Sequence, residues 1–336
     1  MEAITKILTE IKTLIDEEMA KHIPKEGKPQ VLFDACWDFI GAGGKKLRPA
    51  LIATACETLG GNPQETVPAG ASLEIAHNFL LIHDDIEDFS ELRRGHPCLH
   101  VKYGIPQAVN VGDYLFAKSV EVCLSGERVW GPTKMKKVLD LMTEMYVTTA
   151  EGQAAEIDAR EQDISEATME WYEKMALRKT GYYTGGTPCA IGAVIAGGSE
   201  SQVKTLKEFG FAIGVAFQIQ DDILNVTSTK GGGYGKDFAG DIMEGKRTLL
   251  VVHLFAHANQ KEKKELMALI GKKDISLKEK MKVIALMRKY GSIKYAADYA
   301  KRMVEKTTRL IRKRIKPTEG RKKLEVIADF FINRQF

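Results

Sequence analysis

Ile4, Ile7, Leu8, Ile11, Leu14, Ile15 and Met19 recur at the 3.6-residue period of an amphipathic helix. Comparable stripes run through Val138 to Tyr146, Leu206 to Leu224 and Met281 to Met287. The apolar–polar alternation that marks strands is essentially missing. Glycine and proline gather at Gly41 to Gly44, Gly60 to Pro63 and Gly231 to Gly235, where they read as helix connections. The pattern predicts an all-α fold. The chain has 336 residues but no linker-like stretch or abrupt change of composition, so it reads as one large domain over residues 1-336.

Two apolar helical runs carry acids. In EIAHNFLLIHDDIEDFSELRRGHP, residues 74–97, the apolar stretch Phe79 to Ile82 leads into Asp84, Asp85 and Asp88. On a helix Asp84 and Asp88 lie one above the other, one turn or roughly 5.4 Å apart. A lone motif of this kind also suits a solvated acidic face. The apolar approach argues for a buried setting, and the pattern returns in FQIQDDILNV, residues 217–226, around Asp221 and Asp222. Two acidic pairs in apolar helices suggest two walls of one metal-filled cavity. Mg2+ suits such walls, because it takes oxygen ligands and is commonly held by one or two carboxylates together with substrate phosphates.

Cationic candidates surround the acids. In GGKKLRP, Lys45 and Arg48 are three apart at the start of a predicted helix and can converge on one anion near its positive end. Arg93 and Arg94 follow the first acidic motif, and arginine grips phosphate oxygens with paired donors. His77 stands two turns before Asp84 on the same face, placed to donate to a phosphate, whereas His83 points elsewhere and reads as structural. Lys179 and Thr180, in LRKTG, fall at a predicted helix break, and Gln218 shares the face of Asp221. Lys236 and Lys246 come within reach of the same end of the bundle. The glycine run before Lys236 is no P-loop, since Asp237 follows the lysine and no strand precedes it.

Composition narrows the remaining classes. Hydrophobic residues at 44% allow a sizeable core, and a net charge of +4 is too small to argue for nucleic acid. The five cysteines are scattered and free of C-x-x-C spacing, which favours reduced thiols in a cytoplasmic protein. No signal peptide or transmembrane segment is expected, and the basic C-terminal region reads as solvated surface.

Taken in order, GGKKLRP, HNFLLIHDDIEDFSELRRGHP, VGDYLF, EGQAAEID, LRKTG, FQIQDDILN, GKDFAGDIMEGKRT and YGSIKYA make the chain resemble the trans-isoprenyl diphosphate synthases of the polyprenyl synthetase family, most strongly over residues 35–300. The resemblance implies a helical bundle with two aspartate-rich helices facing across a central cavity, usually as a homodimer. It implies Asp84 and Asp88 binding two Mg2+ ions and Asp221 a third, with Asp85 and Asp222 in support. Arg93, Lys179, Lys236 and Lys246 would complete an allylic diphosphate site. Lys45, Arg48, His77 and Arg94 would hold isopentenyl diphosphate, and Thr180 and Gln218 would stabilise the cation formed on ionisation.

The motifs depart from the family at Asn225, where an aspartate is usual, at Glu156, which replaces an aspartate, and at His96, which replaces a lysine. By the same resemblance, Leu80 and Phe79, four and five residues before the first aspartate, form the floor that limits product length. The aromatic Phe79 resembles archaeal-type geranylgeranyl diphosphate synthases; farnesyl and farnesylgeranyl products stay open. Two other classes compete. A class I terpene cyclase would not need Lys45, Arg48, His77 and Arg94, and a non-catalytic subunit of a heteromeric synthase would typically have lost metal ligands.

Overall fold

The computed structural model describes residues 2–228 and 238–333. In chain order its helices are α1 (Glu2–His22), α2 (Gln30–Gly41), α3 (Leu47–Thr58), α4 (Val67–Glu87), α5 (Leu99–Tyr103), α6 (Ile105–Ser125), α7 (Glu127–Glu161) and α8 (Met169–Ala176). A π-helical segment, Leu177–Gly186, carries α8 into α9 (Thr187–Ile195). Then follow α10 (Glu200–Thr227), α11 (Gly240–Glu244), α12 (Leu249–His257), α13 (Gln260–Leu269), α14 (Leu277–Lys289), α15 (Ser292–Arg314) and α16 (Glu319–Asn333).

Local chemistry sets many of these boundaries. The α7 span breaks at Gly131, whose φ of 72° no helix accepts, and Pro132 restarts it where a proline's missing N–H costs nothing. A capping box opens α10, with Ser199 and Gln202 exchanging side-chain and backbone hydrogen bonds. The Ile4 to Met19 stripe buries Ile4, Ile15 and Met19 as expected.

Helix α10 is the axis of the bundle, packed by the π-helical segment, α9, α15 and α16, while α4 lies along α6 and against α1 and α3. The crossing of α10 with the π-helical segment is backbone on backbone: a Cβ on Gly185 would stand 2.0 Å from the carbonyl oxygen of Gly210. That approach fixes how far Thr180 can sit from Gln218.

One element escaped the sequence pattern. Leu92–Arg93 and His96–Pro97 form a minimal antiparallel hairpin, register Leu92 to Pro97 and Arg93 to His96. Its turn residues Arg94 and Gly95 have φ of 55° and 78°. Two positive values match the tight turn whose twist suits a hairpin. Strands of two residues are too short to show an alternation.

Candidate active site

The two aspartate-rich helix ends do line one cavity. It has a volume of about 740 Å3, and its walls include the acids Asp84, Asp221, Asp222 and Asp241 together with Arg48, His77 and Arg94. Asp84 stands in the last turn of α4, at the negative pole of its helix dipole, and Asp221 in the second-last turn of α10, an arrangement of like charges that calls for nearby cations.

Among the described residues, four side chains supply that charge. Arg93 donates from Nε to Asp85 Oδ1 at 2.7 Å and from Nη2 to Asp84 Oδ2 at 3.1 Å. Lys179 Nζ lies 3.4 Å from Asp84 Oδ1 and 2.5 Å from Glu156 Oε2. Lys246 Nζ reaches Asp88 Oδ2 and Glu244 Oε2, both at 2.6 Å. Arg160 Nη2 reaches Asp88 Oδ1 at 2.6 Å and Glu156 Oε2 at 3.0 Å. Burial and Asp84 push the Asp88 carboxyl up, but Lys246, Lys179 and Arg160 outweigh them and hold it below the ordinary value.

The second motif is built differently. Thr180 Oγ1 donates to Gln218 Oε1 at 2.6 Å, Gln218 Nε2 donates to Asp222 Oδ1 at 2.8 Å, and the Tyr172 hydroxyl donates to Asp222 Oδ2 at 3.1 Å. Burial, then the neighbouring Asp241 carboxylate, push the Asp222 carboxyl up to about 8. Clustered acids destabilise one another's ionised form, and a divalent cation relieves that strain.

Among the described residues no three acidic, histidine or cysteine side chains converge as a ready cage. The donor set still fits Mg2+, which uses one or two carboxylates and completes its shell with water and phosphate oxygens. Asp84 and Asp221 face the cavity, whereas Asp88, 5% exposed, is drawn behind its wall by Lys246 and Arg160.

Deeper along α4, two turns before Asp84, the lining is cationic. Arg48 stacks on Tyr183, 4.4 Å from guanidinium carbon to ring centroid, and donates to Thr184 Oγ1 at 2.9 Å. Burial, then Arg48, Arg94, Arg93 and Lys46, push the His77 imidazole well below its usual value, so it is neutral. Arg48 Nε, His77 Nδ1 and Arg94 Nη1 are buried without hydrogen-bond partners among the described residues. Two guanidinium donors and an imidazole left over in one pocket suit an anion.

The sequence neighbours Arg93 and Arg94 serve different walls because they straddle the start of the hairpin turn. Arg93 returns to the α4 acids. Arg94, in the left-handed conformation, comes to 3.5 Å of where a Cβ on Gly44 would sit, beside Glu74.

Several expectations need correction. Lys45 does not stand with Arg48: α3 begins at Leu47, Lys46 before it has φ of 53°, and this turn sends exposed Lys45 over the ring of Phe330 at 5.5 Å. Lys46 is buried instead, its amine 3.2 Å from both Asp16 and Glu74. The segment with Lys179 and Thr180 is a π-helical continuation, not a break. His83 lines the cavity beside Phe79, with ring centroids 6.0 Å apart. Asn225 is a loop anchor, accepting the Ala239 amide on its backbone oxygen at 3.0 Å and the Asp241 amide on Oδ1 at 3.3 Å. Lys236 lies outside the described residues.

Gln153, Arg160, Tyr183 and Asp241 join the site without having been singled out. Gln153 sits within EGQAAEID, and Arg160 falls one helical turn after Glu156, so spacing carried a signal for both. Tyr183 and Asp241 depend on tertiary placement.

A family model for polyprenyl synthetase matches residues 29–287. The chain belongs to the polyprenyl synthetase family. A short chain isoprenyl diphosphate synthase from Methanothermobacter thermautotrophicus is 35% identical, with 100% of both chains covered. A geranylgeranyl diphosphate synthase from Sulfolobus acidocaldarius is 33% identical over 98% of this chain and 97% of its own. The crystal structure of a geranylgeranyl pyrophosphate synthetase from Pyrococcus horikoshii superposes with a TM-score of 0.90 at 34% identity, covering 99% of each chain. As a member of this polyprenyl synthetase family the protein is an all-α prenyltransferase of isoprenoid biosynthesis. No helix among the described residues is long and apolar enough to cross a membrane.

Proposed function

We propose that this prenyltransferase condenses isopentenyl diphosphate with an allylic diphosphate and that its main product is geranylgeranyl diphosphate. One observation carries the reading: acidic helix ends and a cluster of orphaned cationic donors line the same cavity, whose remaining wall is apolar. Two anion sites of different character suit two diphosphates. A terpene cyclase would have no use for the second.

In this reading Asp84 and Asp221 carry Mg2+ from the cavity wall, Asp88 joins them on release from Lys246 and Arg160, and Asp85 and Asp222 lend support. Bound Mg2+ supplies Lewis-acid neutralisation of the charge that builds on a leaving diphosphate. Arg93, Lys179 and Lys246 add fixed positive charge where that diphosphate sits, and Lys236 belongs to the same set by its motif. Preorganised charge of this kind favours the developing anion over the ground state. Arg48, Arg94 and His77 hold isopentenyl diphosphate so that its double bond faces the allylic carbon. Thr180 and Gln218, joined by their hydrogen bond, point oxygen dipoles at the cation. Lys45 contributes only if its side chain turns from Phe330. In this reading the released diphosphate accepts the proton lost on condensation.

The apolar wall supports the product length. Phe79 packs edge-on to Phe116 and tilts against Tyr146, with Leu80 beside it on the cavity wall. The whole chain acts as one unit, with α1 and α16 packed on α3, and works as a cytoplasmic homodimer. The test is a product assay with isopentenyl diphosphate and each of dimethylallyl, geranyl and farnesyl diphosphate, in Mg2+ or in EDTA. A metal-dependent geranylgeranyl product is expected. No condensation with any starter would overturn the reading in favour of a non-catalytic subunit.

A further inference from the structure

A second concavity, of about 560 Å3, lies between α10, α15 and the start of the π-helical segment. Its floor is apolar, from Leu177, Phe211, Val215, Met303 and Leu310. Along its rim α15 presents Lys306, Arg309 and Lys313, spaced to share one helical face. Among the described residues these three have no carboxylate within ion-pair distance, although α15 is packed along its other face and ends in a basic turn. Of the two acids of the groove, Glu173 accepts from the hydroxyl of Tyr299, which lines the same groove, and Glu208 lies 3.7 Å from Arg314 outside it.

An apolar trough edged by unpaired cations complements one kind of molecule, an apolar chain with an anionic head. A bilayer presents a broad surface and cannot enter a concavity between helices; a single chain can. We propose that this groove is a second binding site for a prenyl diphosphate of the length the enzyme makes, its chain on the Phe211 and Leu310 floor and its diphosphate against Lys306, Arg309 and Lys313. The inference rests on the reading of the reaction above only for the identity of that amphiphile.

Occupancy would be felt at the active site. Leu177 and Val215 also flank Gly181, where an added Cβ would meet their methyl groups at 3.0 and 3.2 Å. Gly181 follows Thr180, which lines the catalytic cavity with Gln218. A chain seated on Leu177 and Val215 therefore presses on the segment that positions Thr180, and product accumulation should lower turnover without competing with substrate.

The test titrates the full-length protein with geranylgeranyl diphosphate in EDTA, which removes metal-dependent binding at the catalytic site and needs no turnover. Binding is expected to persist, to weaken at least tenfold in a Lys306→Glu, Arg309→Glu double variant, and to survive Arg48→Ala with Lys179→Ala. A Met303→Asp variant, checked for an unchanged circular dichroism spectrum, should weaken it similarly. With Mg2+, the double variant should keep wild-type initial rates and lose inhibition by added product. Equal binding by the double variant would overturn the proposal. So would equal binding of inorganic diphosphate, which would mark an ion site only, or capture by acidic phospholipid vesicles with no binding of the monomeric prenyl diphosphate. If the protein condensed nothing, the titration would still stand or fall on its own.

Discussion

Phe79 on α4 and Phe116 on α6 meet edge to face, with ring centroids 5.3 Å apart and planes at 80°, and both line the cavity below the acidic motif. Tyr146 completes the cluster, 5.9 Å from Phe79 and 5.1 Å from Phe116, its hydroxyl 2.8 Å from Ser119 Oγ. A chain growing away from the diphosphates meets this wall first. Phe79→Ala should therefore shift the product to at least one isoprene unit longer, and Phe116→Ala should do so more weakly because its ring is 41% exposed. Chromatography of the dephosphorylated products decides it. An unchanged chain length in both variants would place the limit elsewhere.

Asp84→Ala should lower kcat at least a hundredfold while the protein stays folded, because Arg93 keeps its 2.7 Å hydrogen bond to Asp85. Asp221→Ala should lose a similar factor. In the wild type, EDTA should abolish turnover and added Mg2+ restore it. Full activity in either variant, with an unchanged melting curve, would refute the metal assignment.

These predictions divide according to what the chain shows by itself. Asp84, Asp85, Asp221 and Asp222 are conspicuous in sequence because acids rarely end apolar helical runs without a function. His77 follows from its two-turn offset, and the all-α architecture from long periodic stripes. What the sequence hides is where a local backbone turn redirects a side chain. Lys45 lies over Phe330 beside a left-handed Lys46, and Arg93 and Arg94 part company across a two-residue turn. Phe116 and Tyr146 are also hidden, since in sequence they differ in no way from ordinary core residues; only the meeting of α4, α6 and α7 makes them a wall. The π-helical geometry around Thr180 has no periodic signature at all, although such segments often mark functional sites.

His77 offers a test of the second anion site. Its neutral imidazole sits among Arg48, Arg94 and Arg93, with Nδ1 buried and lacking a partner. A hydrogen bond to a charged phosphate is worth about 1.5–3 kcal/mol, or roughly ten- to a hundredfold in affinity. His77→Ala should raise KM for isopentenyl diphosphate by that order and leave KM for the allylic substrate within about twofold. A rise confined to the allylic KM would exchange the assignment of the two sites.

The crossing of α10 with the π-helical segment supplies a prediction that links stability to catalysis. Gly185 and Gly210 approach so closely that any side chain at Gly185 must push the two elements apart, since the atom it meets, 2.0 Å away, is a backbone oxygen. Overpacking of this kind costs about 1–3 kcal/mol, and a backbone obstacle yields less readily than a side chain. Gly185→Ala should therefore lower the melting temperature by several degrees. It should also lengthen the 2.6 Å hydrogen bond from Thr180 to Gln218, which lies about one turn from Gly185 and about two turns from Gly210 along the same pair of elements. The expected result is a drop in kcat larger than any change in KM for either diphosphate, measured well below the melting temperature. A destabilised variant with wild-type kcat would show that Thr180 and Gln218 are positioned independently of that contact, because the crossing would then have moved without the chemistry noticing.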